Sequence, residues 1–206
     1  PTFTTFSNLA GATYGGSGIP TDPSAITVAG SLTLGMAATQ RYVGPNLGHD
    51  GAGTYFAVPG ASGSPLGATW NFDFYISDSQ ALANNGLTYK LLYDFDPGVN
   101  TDSSQMGVLD FTQFLSGNTL QDSQNLTFTF LSTSSSFITP PAGAFDPFAN
   151  GQYSFALIAS DINGEVARSA INVNVGAVAV PEPAPLALLG LGLAGLMLAR
   201  RRPQAK

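Results

Sequence analysis

Residues 69–77 read TWNFDFYIS, a stretch in which large apolar side chains alternate with mostly polar ones. Successive side chains of an extended chain point to opposite faces, so one face of this stretch would be apolar. That face carries Trp70, Phe72, Phe74 and Ile76. A period of two, with aromatic and β-branched residues, is typical of a strand that has one face in a core. The stretch therefore predicts a half-buried β-strand.

The same alternation recurs along the chain, with clusters of Gly, Pro, Asn and Asp between the runs. The runs are LTYKLLYDF (87–95), LTFTFLS (126–132), GQYSFALIAS (151–160) and RSAINVNVGAV (168–178), with SAITVAGSLTLGM (24–36) and TYFAVPG (54–60) as further candidates. DINGE at 161–165 contains the Asn-Gly pair typical of a hairpin. Only SDSQALANNG at 77–86 suggests a short helical turn. Residues 1–175 are therefore predicted to be all-β, an antiparallel β-sandwich or jelly-roll-like domain.

Charge is sparse and unevenly placed. Charged residues are 10% of the chain, against roughly 25% in ordinary soluble domains. Before Pro181 the cationic side chains are Arg41, Lys90 and Arg168, against twelve carboxylates. Nucleic-acid binding needs clustered Lys and Arg, so the composition argues against a nucleic-acid partner. The chain has no cysteine, which excludes disulfides, thiolate metal sites and a cysteine nucleophile.

The C-terminal segment has three parts in order. Residues 176–184, GAVAVPEPA, predict an extended Pro-rich linker because proline fits neither a helix interior nor a central strand. Residues 185–199 are wholly apolar and would span about 22 Å as a helix, which is short for a bilayer core of about 30 Å. Arg200, Arg201 and Arg202 follow directly, and such clusters stay cytoplasmic. Residues 185–206 are predicted to be a short transmembrane helix with the β-domain across the membrane.

Pro181-Glu182-Pro183, a short apolar run and Arg200-Arg201-Arg202 together resemble the PEP-CTERM sorting signal. The resemblance implies a Gram-negative bacterium that makes extracellular polysaccharide, and export through a leader that preceded the sequence given. It also implies that exosortase, a membrane protease-transpeptidase, recognises the Pro-Glu-Pro motif and removes the tail. The exported protein would be anchored transiently in the inner membrane and would then reach the cell surface or extracellular matrix. Pro185 departs from the family, whose members often carry Ser or Thr soon after the motif.

The sequence is much less informative about molecular activity. We expect a non-enzymatic structural or adhesive protein of the surface or of a biofilm matrix, associated with exopolysaccharide. A lectin-like carbohydrate-binding module, with or without calcium, is the alternative. Its candidate surface aromatics are Tyr14, Tyr42, Tyr55 and Tyr75.

One acidic loop is a candidate metal site. The sequence DFDPGVNTD at 94–102 places Asp94, Asp96, Asn100 and Asp102 close together, and Ca²⁺ prefers such oxygen ligands. Asp146 and Asp161 are further candidate ligands. The loop lacks the Gly and Glu positions of an EF-hand, and the alternative is a strand that ends in an Asp-Pro-Gly turn. No other cofactor is expected.

Enzymatic residues are harder to find. His49 is the one histidine, with Asp50 beside it, and no Gly-x-Ser-x-Gly motif surrounds any serine. Polysaccharide hydrolysis would need two carboxyl groups about 5–10 Å apart. Glu165 is the one glutamate before the tail, and it lies in the predicted hairpin turn. A polysaccharide-active hydrolase is therefore the remotest alternative, and no catalytic residue is assigned.

Overall fold

The computed structural model describes residues 1–13, 23–41 and 47–176. The predicted helix at 185–206 and all of the predicted linker except Gly176 lie outside this range. The described part is nearly all β, with one short 3-10 helix at Thr129–Ser132. Its strands, in chain order, are β1 Thr5–Ser7, β2 Ser24–Ala29, β3 Leu32–Gln40, β4 Gly48–His49, β5 Thr54–Ala57, β6 Ala61–Ser62, β7 Gly67–Ala68, β8 Trp70–Asp78, β9 Thr88–Tyr93, β10 Gly107–Asp110, β11 Thr119–Gln124, β12 Ile138–Thr139, β13 Gly151–Asp161 and β14 Gly164–Val175.

The strands form two main sheets and a small hairpin. The first sheet has the order β1-β2-β3-β8-β11 and is antiparallel throughout. The second has the order β12-β10-β9-β13-β14-β5-β4. Its neighbours are antiparallel except β5 and β14, which are parallel. The all-β prediction is confirmed, and the parallel pair is a departure from a purely antiparallel sandwich.

Aromatic side chains join the two sheets face to face. Phe72 on β8 stacks on Phe155 of β13, with 4.7 Å between the ring centroids. Trp70 contacts Phe155 at 6.0 Å and Tyr153 at 5.7 Å. All four of these side chains are buried. The apolar face predicted for residues 69–77 therefore lies in the core between the sheets.

The opposite face of β8 is also buried, so the prediction of a half-buried strand is wrong there. Asp73 is 0% exposed, and Asn71 and Tyr75 are buried as well. The N-terminal segment lies across this side of the sheet. The Tyr75 hydroxyl is 3.5 Å from the point that a Cβ on Gly11 would occupy. The Thr13 N–H donates to Oε1 of Gln121 on β11 at 2.6 Å.

Residues 126–132 do not form the predicted strand. The strand lies just before them, as β11, and the chain then turns into the 3-10 helix. Backbone N–H groups of Phe128 and Leu131 donate to the carbonyls of Asn125 and Phe128, which closes successive turns. The alternating phenylalanines of this run are therefore not the face of a sheet.

Two predicted turns have different outcomes. Asp161 pairs with Gly164, so DINGE forms the β13–β14 hairpin, as predicted. Gly164 has a φ of +126°, a conformation that side chains with a Cβ rarely adopt. Residues 77–86 contain turns and no helical turn, and Ala81 has a φ of +59°.

Asn125 is a buried hydrogen-bonding hub at the end of β11. It is 0% exposed, and its Oδ1 accepts from the Ala68 N–H at 3.0 Å and from the Thr127 hydroxyl at 2.6 Å. Its Nδ2 lies 2.7–3.0 Å from the carbonyls of Ala68 and Trp70 and from Oδ1 of Asn71, and these three acceptors share its two N–H donors. A buried polar group must be paired, so this one side chain fixes the approach of β7, the start of β8 and the turn after β11.

Asn125→Ala is expected to lower the free energy of unfolding by about 3 kcal/mol, because it leaves several buried backbone groups without partners. Urea unfolding followed by Trp70 fluorescence measures this change. Asn174→Ala, on the outer face of β14, is the matched control and should change stability by less than about 0.5 kcal/mol. Equal stabilities for the two variants would contradict the structural role of Asn125.

Candidate functional site

The chain leaves the domain at one end of the seven-stranded sheet. β5 and β14 run parallel and finish together, with Ala57 paired to Val175. The Gly176 N–H then donates to the Ala57 carbonyl at 3.0 Å. We call this end of the sandwich the exit end, because the predicted linker and helix follow from it.

Three loops meet at the exit end. The Gly60 N–H, after β5, donates to the Pro147 carbonyl at 2.7 Å. The Gln152 N–H, at the start of β13, donates to the Pro97 carbonyl at 3.1 Å. Gly176 itself lies against Asn150, because a Cβ built on Gly176 would fall 2.0 Å from the Asn150 Oδ1. With a φ of +76° as well, this position suits glycine alone among the common residues.

Each of these loops exposes an apolar side chain. Val58 follows β5, Phe148 follows Pro147, and Val99 lies two residues after Pro97. They are 70%, 65% and 70% exposed. The sequence alone did not single out these residues, since an isolated Val or Phe in a loop carries no periodic signal.

The predicted calcium loop also lies at the exit end. Asp94 is 1% exposed, whereas Asp96, Asn100 and Asp102 are exposed. Their carboxylates accept from the chain just ahead: Asp94 from the Asp96 N–H, Asp96 from the Gly98 N–H and Asp102 from the Ser104 N–H, at 2.8–2.9 Å. Such contacts are typical of Asx turns. Among the described residues, no three His, Cys, Asp or Glu side chains are grouped so that they could hold a metal ion.

The two further candidate ligands are far apart. Asp146 lies in the exit-end loops, where its Oδ1 accepts from the Phe148 N–H. Asp161 ends β13 at the opposite end of the domain, about 30 Å from the start of that strand. Asp161 therefore cannot share a metal ion with Asp94, and that suggestion is wrong.

Asp94 and Tyr153 share a low-dielectric environment. Burial raises the pKa of Asp94, although the side chain of Thr101 and the N–H groups of Asp96 and Ser154 act in the opposite direction. In the described part of the chain, Asp94 Oδ2 and the Thr101 hydroxyl make no hydrogen bond of standard geometry. Burial, followed by the charges of Asp146, Asp94 and Asp96, raises the pKa of Tyr153 to about 12. These negative charges and the burial both disfavour ionisation of the Tyr153 hydroxyl.

The candidate enzymatic residues are engaged elsewhere. His49 contacts the rings of Phe6 and Tyr55, and its Nδ1 accepts from the Gly51 N–H. The Asp50 Oδ1 accepts from the Ala52 and Thr54 N–H groups. Burial acts to raise the Asp50 pKa, but these two hydrogen bonds and one from the Thr54 side chain keep it below its ordinary value. Glu165 pairs with Arg168, with a shortest N–O distance of 2.6 Å. Within the described residues, His49, Asp50 and Glu165 therefore do not form a common site.

None of the predicted sugar-stacking aromatics is placed on the surface of the described residues. Tyr55 and Tyr75 are buried, so neither can offer a ring face to a ligand. Tyr14 and Tyr42 lie outside the described residues. A different polar surface is present on the outer face of the seven-stranded sheet. Gln152 donates to Asn174 at 3.0 Å, and the hydroxyl of Ser154 lies 3.3 Å from Oδ1 of Asn172.

Residues 179–202 match the PEP-CTERM protein-sorting motif. The chain carries a PEP-CTERM sorting signal. No curated protein and no solved structure matches the chain.

The PEP-CTERM motif begins three residues after Gly176, and it contains Pro181, Glu182, Pro183 and Arg200–Arg202. It implies that the protein is exported, that it passes through a membrane stage, and that it is sorted by exosortase, a membrane protein. Within residues 1–13, 23–41 and 47–176, no helix is long and apolar enough to cross a membrane. The motif residues lie outside the described part of the chain.

Asp94→Asn is expected to raise the melting temperature at pH 7 in calcium-free buffer. The raised pKa means that the ionised carboxyl destabilises the fold, and this penalty is complete above the pKa in the folded state. The gain should shrink as pH falls through that pKa and vanish below the ordinary value of 3.8. Thermal unfolding at several pH values measures it, with Asp122→Asn, at an exposed position of β11 in the other sheet, as control.

The same unfolding experiment tests calcium binding. If the acidic loop binds Ca²⁺, millimolar calcium should raise the wild-type melting temperature, and Asp94→Asn should lose that rise. An unchanged wild-type melting temperature would end the calcium hypothesis.

Proposed function

We propose that the β-domain is a non-enzymatic component of the cell surface or extracellular matrix, delivered together with exopolysaccharide in a Gram-negative bacterium. The observation that supports this role most directly is the PEP-CTERM motif, which starts at residue 179, shortly after β14 ends at Val175. In this role the domain is the delivered cargo, and the C-terminal segment is an address that exosortase removes.

The chemistry of the described surface fits this role. The domain is rich in hydroxyl and amide side chains and poor in cations, because Arg41, Lys90 and Arg168 are the cations before the motif and Arg41 is buried. A surface of this kind is compatible with hydrated neutral polymers, which offer hydroxyl groups as hydrogen-bonding partners. We infer a structural or adhesive role from this match.

Replacing Arg200, Arg201 and Arg202 with Gln in the full chain should reduce membrane retention and processing several-fold, because the cationic stop beyond the apolar run is lost. Cell fractionation and the intact mass of the protein from its native host measure both effects. The mass also reports removal of the tail and any attached sugar.

Arg168→Gln is the control for that experiment, since it removes a half-buried cation that pairs with Glu165 within the domain. It should leave sorting unchanged. Intact wild-type chain found in the cytoplasm, or mature surface protein that keeps its tail while exosortase is active, would contradict the proposed route.

A second candidate function is glycan binding by the outer face of the seven-stranded sheet. Asn172 and Asn174 on β14 lie beside Ser154 and Gln152 on β13. Phe56 of β5 pairs with Asn174 and is only partly buried. Amide groups donate to and accept from sugar hydroxyls, and an aromatic ring packs against the C–H face of a sugar. Gln152, Ser154, Asn172 and Asn174 thus form a row of uncharged polar side chains, which favours a neutral polysaccharide.

Asn172→Ala with Asn174→Ala should weaken polysaccharide binding by at least tenfold, because two amide groups of the row are removed. Pull-down of the full chain with the host exopolysaccharide, and a glycan array with and without calcium, measure the loss. Gln113→Ala, an exposed amide that donates to Ser136 away from this face, is the matched control. No binding by the wild type in either buffer would end the lectin hypothesis.

A further inference from the structure

The exit end combines three exposed apolar side chains with the departure point of the sorting segment. Val58 follows the residue that accepts from Gly176, and Phe148 follows the carbonyl that accepts from Gly60. Val99 belongs to the loop that is hydrogen-bonded to the start of β13 through Pro97. Because these side chains are 65–70% exposed, they contribute little to the core, and only a partner outside the domain could bury them.

The length of the linker places this end near a bilayer. Between Gly176 and Pro185 the chain can extend over at most about 30 Å. When residues 185–199 are inserted, the exit end therefore lies within about 30 Å of the point of insertion. The opposite end of the domain, at the β13–β14 hairpin, is about 40 Å further along β14. That end also exposes an apolar residue, Ile162, but the linker does not hold it within this distance of the point of insertion.

We propose that the exit end docks on the lipid surface while the C-terminal segment is inserted, with Val58, Val99 and Phe148 in the headgroup region. This inference rests on the membrane stage that the PEP-CTERM motif implies and goes beyond it, since the motif gives no orientation to the domain. The occupant is a lipid surface, because the linker makes a bilayer the neighbour of this end for as long as the tail is attached.

The charges around the docking residues determine which lipids favour docking of the exit end. Asp96, Asp102 and Asp146 are exposed in the same loops as Val99 and Phe148. Carboxylates beside the apolar side chains are repelled by anionic headgroups, and the repulsion is strongest at low ionic strength. The docked state should therefore be favoured on zwitterionic lipid and weakened on anionic lipid.

Tethering makes a weak contact sufficient and reversible. Three partly inserted side chains hold a free domain only weakly, but a short linker raises the effective concentration of the surface to the millimolar range. Cleavage of the tail would end that advantage and release the domain. Docking would thus last only as long as the sorting segment is attached.

The absence of cysteine in the chain permits a direct test with two single-cysteine variants. Phe148→Cys and Ile162→Cys each replace an exposed apolar residue, at opposite ends of the domain. Each full-length variant is labelled with a polarity-sensitive fluorophore and reconstituted into phosphatidylcholine vesicles that contain headgroup-quencher lipid. We expect the label at position 148 to be quenched at least threefold more strongly than the label at position 162.

Two further measurements sharpen the result. Val58→Ser with Val99→Ser, in the Phe148→Cys background, should reduce the quenching at least twofold. Replacing half of the phosphatidylcholine with phosphatidylglycerol at low salt should also reduce the quenching at position 148 at least twofold. Equal quenching at positions 148 and 162, or quenching at 148 that requires exosortase in the vesicles, would overturn docking on lipid.

Flotation of the vesicles separates the two ways in which the test could fail. Full chain that floats with the vesicles but shows no quenching at position 148 would overturn the docking alone. Full chain that does not float with them would overturn both the docking and the membrane stage on which it depends.

Discussion

The aromatic layer between β8 and β13 holds the domain together. Phe72 stacks on Phe155, and Trp70 packs on both Phe155 and Tyr153, so the two sheets meet through ring contacts at 4.7–6.0 Å. Aromatic rings bury large areas and prefer particular relative geometries, so this layer sets both the distance and the alignment of the sheets. The two hairpins that surround it, β2–β3 and β13–β14, place their apolar faces on either side of the same layer.

Much of this arrangement could be predicted from local patterns. The strands at 69–77, 87–95, 151–160 and 168–175 follow from period-two alternation, because each has one face in the core. β11 carries no alternation that would predict a strand, because its sequence, TLQDSQ, has a single apolar residue. Residues 126–132 alternate like a strand but form a turn and a 3-10 helix, because Asn125 makes its contacts with β7 and β8, which no local pattern reveals. The parallel pairing of β5 with β14 likewise depends on partners that are distant in sequence.

The candidate sites also include some that follow from a local sequence pattern and others that appear only in the folded chain. The sorting motif could be found from sequence because its three parts lie in order within 24 residues. The acidic loop and its alternative, an Asp-Pro-Gly turn, also follow from the sequence, and the backbone contacts of Asp94 and Asp96 fit the turn. The exposed residues of the exit end became visible only when the loops were assembled, since Val58, Val99 and Phe148 come from three separate parts of the chain.

The position of β14 in its sheet has a mechanical consequence. β14 is the last strand before the sorting segment, yet it lies inside the sheet, with β13 on one side and β5 on the other. A pull on the C-terminus therefore acts along the strand and loads its hydrogen bonds with both neighbours in shear. Shear requires many bonds to break together, whereas an edge strand can be peeled off one bond at a time. Tension on the C-terminus would thus be resisted by the hydrogen bonds to both neighbours at once, rather than by those of an edge strand.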